Sequence, residues 1–419
     1  MKMTELFTKT SKTVPADESA RNAQLLIQAG FIHKEMAGVY VYLPLGLKVL
    51  ENIKTIVREE MNTIGGQEVM MTTLQPKEIW EKTNRWDDKV VDNWFKTKLA
   101  NGTELGVGLT HEEPIVDALM PYVTSYKDLP VYVYQIQNKF RNELRAKSGL
   151  LRGREFVMKD MYSLARTQKE HEELYERVAE AYVRVYQRLG IGDTTYRTAA
   201  DGGYFTERFS DEYQTLSDIG EDTIYVDEAK KLAINKEIYT DENLAKLGLN
   251  KAELVEKHAV EVGNIFPLES KYTDALDAYY TDEKGEKQSI IMGCYGIGVS
   301  RLMGVLAEHF SDDKGLVWPE NVAPFKVYLA SLGTDTKVVQ QADELYSLLT
   351  TAGVSVLYDN RDIRPGEKFA DADLIGLPHR VVVSEKTIAA GTYEYKARTK
   401  DAAEHLSKDQ LFQLLGAHS

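Results

Sequence analysis

Apolar residues recur along the chain with two periods, and the switches between them mark the elements. In residues 17–30, DESARNAQLLIQAG, a helical spacing stops at Gly30 and predicts a short helix. GVYVYLPLGLKVLENIKTIVREEMNTIGG passes from aromatic alternation to an amphipathic helix that starts near Leu45, buries Leu50, Ile53 and Val57, and closes at Gly65 and Gly66. TELGVGLT and PVYVYQIQNKF read as strands, and KEHEELYERVAEAYVRVYQRLG as a long helix ending at Gly190. Residues 213–217 and 222–226 read as strands, followed by polar helical sequence that is clearest in AKLGLNKAELVEKH.

The pattern changes after LVWPENVAPF. From Lys326 it runs strand FKVYLASL, helix KVVQQADELYSLLTTAG, strand VSVLYD, a charged loop, helix FADADLIGLP and strand HRVVVS, the order of a small α/β domain. The expected division is 1–322 and 323–419. A chain of 419 residues, 43% hydrophobic, is long enough for more than one core.

Charge narrows the classes of partner. With 51 basic against 65 acidic residues the formal charge is −14, so nucleic-acid contact requires local basic patches rather than a bulk field. Residues 326–419 hold 11 Lys or Arg and 13 Asp or Glu, and are less repulsive to a polyanion than the rest. One cysteine, Cys294, excludes an intrachain disulfide framework and a multi-cysteine zinc site. No apolar run reaches the ~18 residues of a membrane span, and MKMTELFTKTSKTVP lacks the apolar segment of a secretory signal. The cytoplasm is the expected compartment, with no membrane partner.

The chemistry concentrates in NKFRNELRAKSGLLRGREFVMKD, residues 138–160. Read as a hairpin, it sets Arg141 and Glu143 on one strand face and Arg152, Arg154 and Phe156 on the face of the returning strand. Two guanidiniums for phosphates, an aromatic face for a base and a carboxylate for an exocyclic amine are what a nucleoside triphosphate requires. The same residues also suit a solvated surface with cross-strand ion pairs. GxxxxGK[ST], a helix-opening GxGxxG and HExxH are all absent, which removes the usual P-loop, Rossmann and zincin readings. GCYGIGVSRLMGVLAEHF reads as a strand turning into an apolar helix that carries Arg301; a buried arginine there needs an anionic ligand or a protein carboxylate.

The ordered series LPLG, LTHEEP, FRNE with GLLRGREFVMKD, IGED at residues 219–222, EVGNIFPLESKY, GCYGIGVSRL and RPGEKFADADLIGLP resembles the class II aminoacyl-tRNA synthetases. Within them it resembles the prolyl-tRNA synthetases of bacterial type, in a short form. The resemblance implies an α+β catalytic core, an antiparallel sheet flanked by helices, and a C-terminal α/β anticodon-binding domain. It implies activation of L-proline by ATP and transfer to proline tRNA, in a homodimer formed through the first motif. Arg141 is then expected on the α-phosphate and the proline carboxylate, Glu143 on the adenine amino group, Phe156 stacked on adenine, and Arg152 on the γ-phosphate. Arg301 is expected to clamp the triphosphate from the other side. Thr110 and Glu112, on one face if LTHEE is extended, are expected to take the imino group, with His111 supporting. Phe266, Cys294 and Gly296 border the ring pocket, Cys294 as packing rather than nucleophile. Mg²⁺ is expected with ATP, with Glu212 and Glu261 as its candidate ligands. Arg361, Arg364 and Lys368 are the candidate anticodon contacts.

The chain departs from the pattern in three places. Between the second and third motifs there is room only for a small insertion near 228–260, so no editing within the chain is expected, and the cell would need a separate editing protein or a tolerance for the error. EVGNIF puts Asn264 where the pattern has histidine, and SDEY at residues 210–213 puts Asp211 there. A synthetase-like amino-acid sensor or tRNA-binding regulator without catalysis is the alternative, although such a chain commonly loses the ATP-binding side chains kept here.

Overall fold

The computed structural model describes residues 1–417 apart from Arg145 and Lys147. The chain folds into two compact units: Ala37–Val39 with Lys54–Leu302, and Met1–Met36 with Tyr40–Ile53 and Met303–Ser419. Among the described residues no helix is long and apolar enough to cross a membrane.

Helix α1 (Arg21–Gln28) stops before Gly30, whose φ of +74° no helix continues. Helix α2 (Pro44–Thr63) begins with proline, whose missing N–H is not needed at that position, and its apolar stripe buries Leu50, Ile53 and Val57. A two-residue strand β1 (Gln67–Glu68) and helix α3 (Glu112–Leu119) precede the long strands β2 (Val131–Phe140) and β3 (Glu155–Ala165). Helix α4 (Gln168–Arg188) starts where the Thr167 hydroxyl accepts from the Glu170 N–H. Then come β4 (Thr195–Ala200), β5 (Ser210–Leu216), β6 (Asp222–Asp227), β7 (Leu232–Asn235), α5 (Asp241–Leu247), β8 (Val255–Glu269), β9 (Ile291–Ile297) and α6 (Val299–His309).

Two expectations change. The helix expected over AKLGLNKAELVEKH ends at Leu247, because Gly248 turns the chain at φ +66°, and residues 255–258 join β8 against β6. The hairpin ladder is also shorter than its alternation suggested. Arg141 N–H still reaches Arg154 O at 2.8 Å, but Glu143 N–H folds back to Arg141 O and Arg154 N–H goes to Gly38 O. Arg141, Glu143, Arg152 and Arg154 therefore lie beyond the strand ends, and the expected face-sharing is replaced by loop geometry. Arg145 and Lys147 of that loop lie outside the described residues.

The nine strands run in the order β5-β4-β7-β6-β8-β9-β3-β2-β1, and β5 also pairs with β8. That extra pairing closes five strands into a circuit. Leu216, Tyr196, Ala233, Ile224, Val226 and Ala259 pack together from all five. Except for β4–β7 and β1–β2, neighbours are antiparallel. Beside the circuit, Val133, Tyr162, Leu164, Leu268 and Met292 join Ile115 and Val116 of α3 in a second core. Lys159, on the other face of β3, donates to the Tyr182 hydroxyl of α4 at 2.6 Å.

In the other unit β10 (Val327–Leu332), α7 (Thr336–Thr351), β11 (Val356–Asp359), α8 (Pro365–Ile375) and β12 (His379–Ser384) follow the expected order. The parallel trio β11-β10-β12 is extended by two antiparallel strands that the pattern did not reveal, β13 (Tyr393–Ala397) and β14 (Glu404–Leu406). Val327, Leu329, Val338, Leu345 and Val381 form its core. Met3 N–H donates to Tyr358 O at 2.8 Å and Tyr358 N–H to Met1 O at 2.9 Å, so the first residues lie along β11.

Candidate active site

Strand register builds the floor of a cleft of about 370 Å³. Phe266 pairs with Cys294 and Cys294 with Tyr162; two residues along, Asn264 pairs with Gly296 and Gly296 with Asp160. Period-two alternation turns Phe266, Cys294, Gly296 and Asp160 to the same side, where all four line the cleft. A Cβ on Gly296 would stand 2.5 Å from the Met158 methyl, so glycine keeps that floor open.

At one end lie Thr110 and Glu112. They do not share a strand face as expected: Glu112 opens α3, and the helix start folds its carboxylate back onto the Thr110 hydroxyl, which donates to both oxygens at 2.8 Å. The Cys294 thiol donates to Glu112 Oε1 at 3.3 Å, and burial pushes that thiol well above its ordinary range, which suits packing and not nucleophilic attack. His111 is buried beneath. Its Nδ1 accepts from Lys139 at 2.7 Å and its Nε2 lies 3.0 Å from Thr72 O; burial, then Lys139, lowers the imidazole to about 4 and keeps it neutral. Lys139 also pairs with Asp160 at 2.8 Å.

At the other end Arg141, Glu143, Arg152, Phe156 and Arg301 all line the same cleft. The Arg141 guanidinium lies 5.2 Å from the Phe156 ring centroid, and its buried Nε has no partner among the described residues. Arg152 donates to Glu143 at 2.9 Å and to Glu221 at 3.0 Å. Arg301, half-buried, donates to Leu151 O at 2.9 Å and to the Glu261 carboxylate at 3.0 Å. Arg301 thus has the protein carboxylate of the second reading, and it also lines the cleft.

The two departures sit on adjacent strands, with Glu212 of β5 opposite Asn264 of β8. Asp211 turns the other way, accepting from Tyr175 at 2.9 Å and Arg197 at 2.8 Å. Asn264 donates to Glu261 at 3.2 Å. Glu212 accepts from Gln214 and Asn235, and burial, reinforced by Glu261, pushes its carboxyl up to about 8. A carboxyl raised on folding stabilises the protein below its ordinary value near 4.5, and that stability is lost as pH rises through about 8. Glu212→Gln should therefore melt above the wild type at pH 8 but not at pH 4, in metal-free buffer followed by circular dichroism. Parallel pH profiles for the two proteins would refute the assignment.

Of the three residues expected to face RNA, two are turned inward. Arg361 forks onto Asp359 at 2.7 and 2.8 Å and reaches Asp371 at 2.8 Å. Lys368 is only 2% exposed and donates to Ser331 O at 2.6 Å and Asp359 O at 3.1 Å. Arg364, the residue before α8, is exposed.

Residues 95–310 match the family described as tRNA synthetase class II core domain (G, H, P, S and T), and residues 326–418 match the anticodon binding domain. A proline--tRNA ligase of Rickettsia africae is 36% identical, over 99% of this chain and 100% of that one. The chain belongs to the class II prolyl-tRNA synthetases. A proline--tRNA ligase of a Geobacillus species is 33% identical over 566 aligned residues, far more than the 419 here, covering 99% of each protein. The fold is also that of a prolyl-tRNA synthetase from Cryptosporidium parvum solved with halofuginone and AMPPNP, with a TM-score of 0.77 over 94% of this chain and 76% of that chain at 17% identity.

Sequence reasoning missed several residues that line the cleft, Asp160, Tyr204 and Phe205 among them, and one that stands behind it. Arg85, in EKTNRWDD, is 2% exposed and donates to Glu112 at 3.1 Å and to Glu113 at 2.9 Å. Burial pushes the Glu113 carboxyl up to about 6 even so. The segment has no apolar period; the only signal was the paired acid of LTHEE, since two adjacent buried carboxylates require a cation.

Proposed function

We propose that the cleft joins L-proline to ATP and passes the prolyl group to proline tRNA. The observation that carries this reading is one continuous cleft with a buried carboxylate and a small apolar floor at one end and three arginines with an aromatic ring at the other. Glu112 and Thr110 receive the secondary ammonium of proline, and Phe266, Cys294 and Gly296 bound its ring. Arg141 draws the proline carboxylate and the α-phosphate together. A carboxylate oxygen attacks the α-phosphorus and pyrophosphate leaves, with no protein nucleophile; the barrier falls through orientation and charge neutralisation. Phe156 stacks on adenine, Glu143 accepts from its amino group, and Arg152 and Arg301 hold the outer phosphates, each exchanging an internal carboxylate for the ligand. The terminal ribose hydroxyl of tRNA then attacks the carbonyl, releasing AMP.

Glu212 and Glu261 would hold a hard cation, because Glu212 lacks a cationic partner among the described residues and magnesium sites of this kind use one or two carboxylates. A Mg²⁺ held there would supply charge neutralisation at the phosphates.

Proline-dependent ATP–pyrophosphate exchange without tRNA tests the reading. Tight proline binding with no exchange would favour the sensor instead. The catalytic domain covers 1–322, with its small insertion near 228–260, and the anticodon-binding domain 323–419. Within the latter Arg364 makes the RNA contact while Arg361 and Lys368 hold the loop beneath it. Arg364→Ala should raise the KM for tRNA about tenfold and leave exchange untouched; equal KM values would remove Arg364 from the interface. A point substitution is the right instrument, since removing 326–419 would also strip the partner from Met1–Met3.

The enzyme acts in the cytoplasm as a C2 homodimer through the α2 region, which sedimentation should report as about twice the 47.4 kDa chain. A competent monomer at all concentrations would reject the dimer. The enzyme does not edit, and the cell uses a separate editing protein or tolerates the error: residues 228–260 form β7, a short helix, turns and the start of β8, around a small cluster of Ile234, Ile238, Leu244 and Leu249. Hydrolysis of Ala-tRNA by this enzyme alone would overturn that assignment.

A further inference from the structure

Arg85 stands behind the amino-acid end of the cleft, not in it. Its Nη1 bridges Glu112 and Glu113, while Nε and Nη2 are buried without a hydrogen-bond partner among the described residues. Aromatic rings surround the guanidinium: its carbon lies 5.0 Å from the Trp80 centroid, 5.2 Å from Tyr272, and 5.3 Å from both Tyr204 and Phe205. The Phe205 centroid in turn lies 4.7 Å from that of Phe266, so the rings that enclose Arg85 are the back of the wall bounding the small apolar floor.

Arg85 is the cation that Glu112 and Glu113 share among the described residues. With both acids ionised this pair holds one negative charge in excess, which a substrate ammonium completes. Without Arg85, two adjacent buried carboxylates have no cation between them, and such a pair retains a proton. A pair that shares a proton offers the substrate a weaker anion.

We propose that Arg85 is a positioning residue for amino-acid selection: its guanidinium, bridging Glu112 and Glu113, balances the paired charge and aims the Glu112 carboxylate at the substrate ammonium. The proposal rests on the reading of this end of the cleft as the proline site. Its signature is that Arg85 matters only to a ligand that carries the ammonium.

The test compares proline with tetrahydrofuran-2-carboxylate, which keeps the five-membered ring and carboxylate but has no ammonium. Both are measured in the exchange reaction, proline by its KM and the analogue as a competitive inhibitor. Arg85→Met should raise the KM for proline about 30-fold or more. It should leave the KM for ATP and the inhibition constant of the analogue within about threefold of wild type, an allowance on the order of the scatter of neutral contacts. Arg85→Lys keeps a cation in the cavity and should restore most of the preference for proline. It also serves as the reporter should the methionine variant not fold: a lysine variant that loses proline and analogue binding alike overturns the proposal. An equal loss for both ligands in Arg85→Met does the same, because it marks a support of the pocket and no more. Wild-type protein without proline-dependent exchange would instead remove the reading of the cleft itself, and the role of Arg85 with it.

Discussion

Arg141→Ala should lower the turnover of proline-dependent ATP–pyrophosphate exchange about 10³-fold, the scale of losing a preorganised donor at a transition-state oxyanion. The guanidinium rests against Phe156, and its buried Nε has no partner among the described residues, so this cation is held ready for a ligand. Its contacts grow as the phosphorus becomes pentacoordinate, and turnover should fall more than the affinity for ATP. The melting temperature should change little, since the substitution breaks no ion pair among the described residues. Turnover near that of the wild type would eliminate Arg141 as the bridge between carboxylate and phosphate.

Glu112→Gln is the second large effect, and it falls on the other substrate. Glutamine keeps the shape of a side chain that is fully buried, hydrogen-bonded to Thr110 and approached by the Cys294 thiol. It removes the anion and can set an amide NH₂ against the ammonium. The KM for proline should rise about 100-fold, the cost of losing one member of a buried hydrogen-bonded charge pair, while the KM for ATP stays put. Arg85 retains Glu113, which limits the damage to stability. Steady-state exchange with each substrate varied in turn measures both constants; a proline KM within about threefold of wild type would place the ammonium elsewhere.

Much of the fold was legible because local pattern and tertiary burial agree. The long helix α4, the strands β2 and β3, the strand-to-helix turn before Arg301 and the alternating C-terminal order all carry their period openly. Strands β7, β13 and β14 are short, and β7 is joined to β4 in parallel across more than thirty residues, a pairing no local window contains. The run 255–258 was misread because its polar residues suit a helix, whereas pairing with β6 decides its state.

The site was legible by residue type more than by geometry. Thr110 and Glu112 do meet, through a helix start rather than an extended face. Arg141, Glu143 and Arg152 share the cleft although each lies beyond its strand. Arg361 and Lys368 mislead for the opposite reason: a charged loop invites an outward reading, but Asp359 lies buried beside them and draws the guanidinium in.

The closed circuit of β5, β4, β7, β6 and β8 bears on how the protein behaves when crowded. A strand at the end of a sheet offers unpaired N–H and C=O groups to any neighbouring chain, and proteins guard such edges. Here the strands at one end bond to each other all the way round, so that end presents no template for association. At the opposite end the last strand, β1, is two residues long. The sheet is thus sealed on one side and finishes on the other in a strand too short to recruit a stranger.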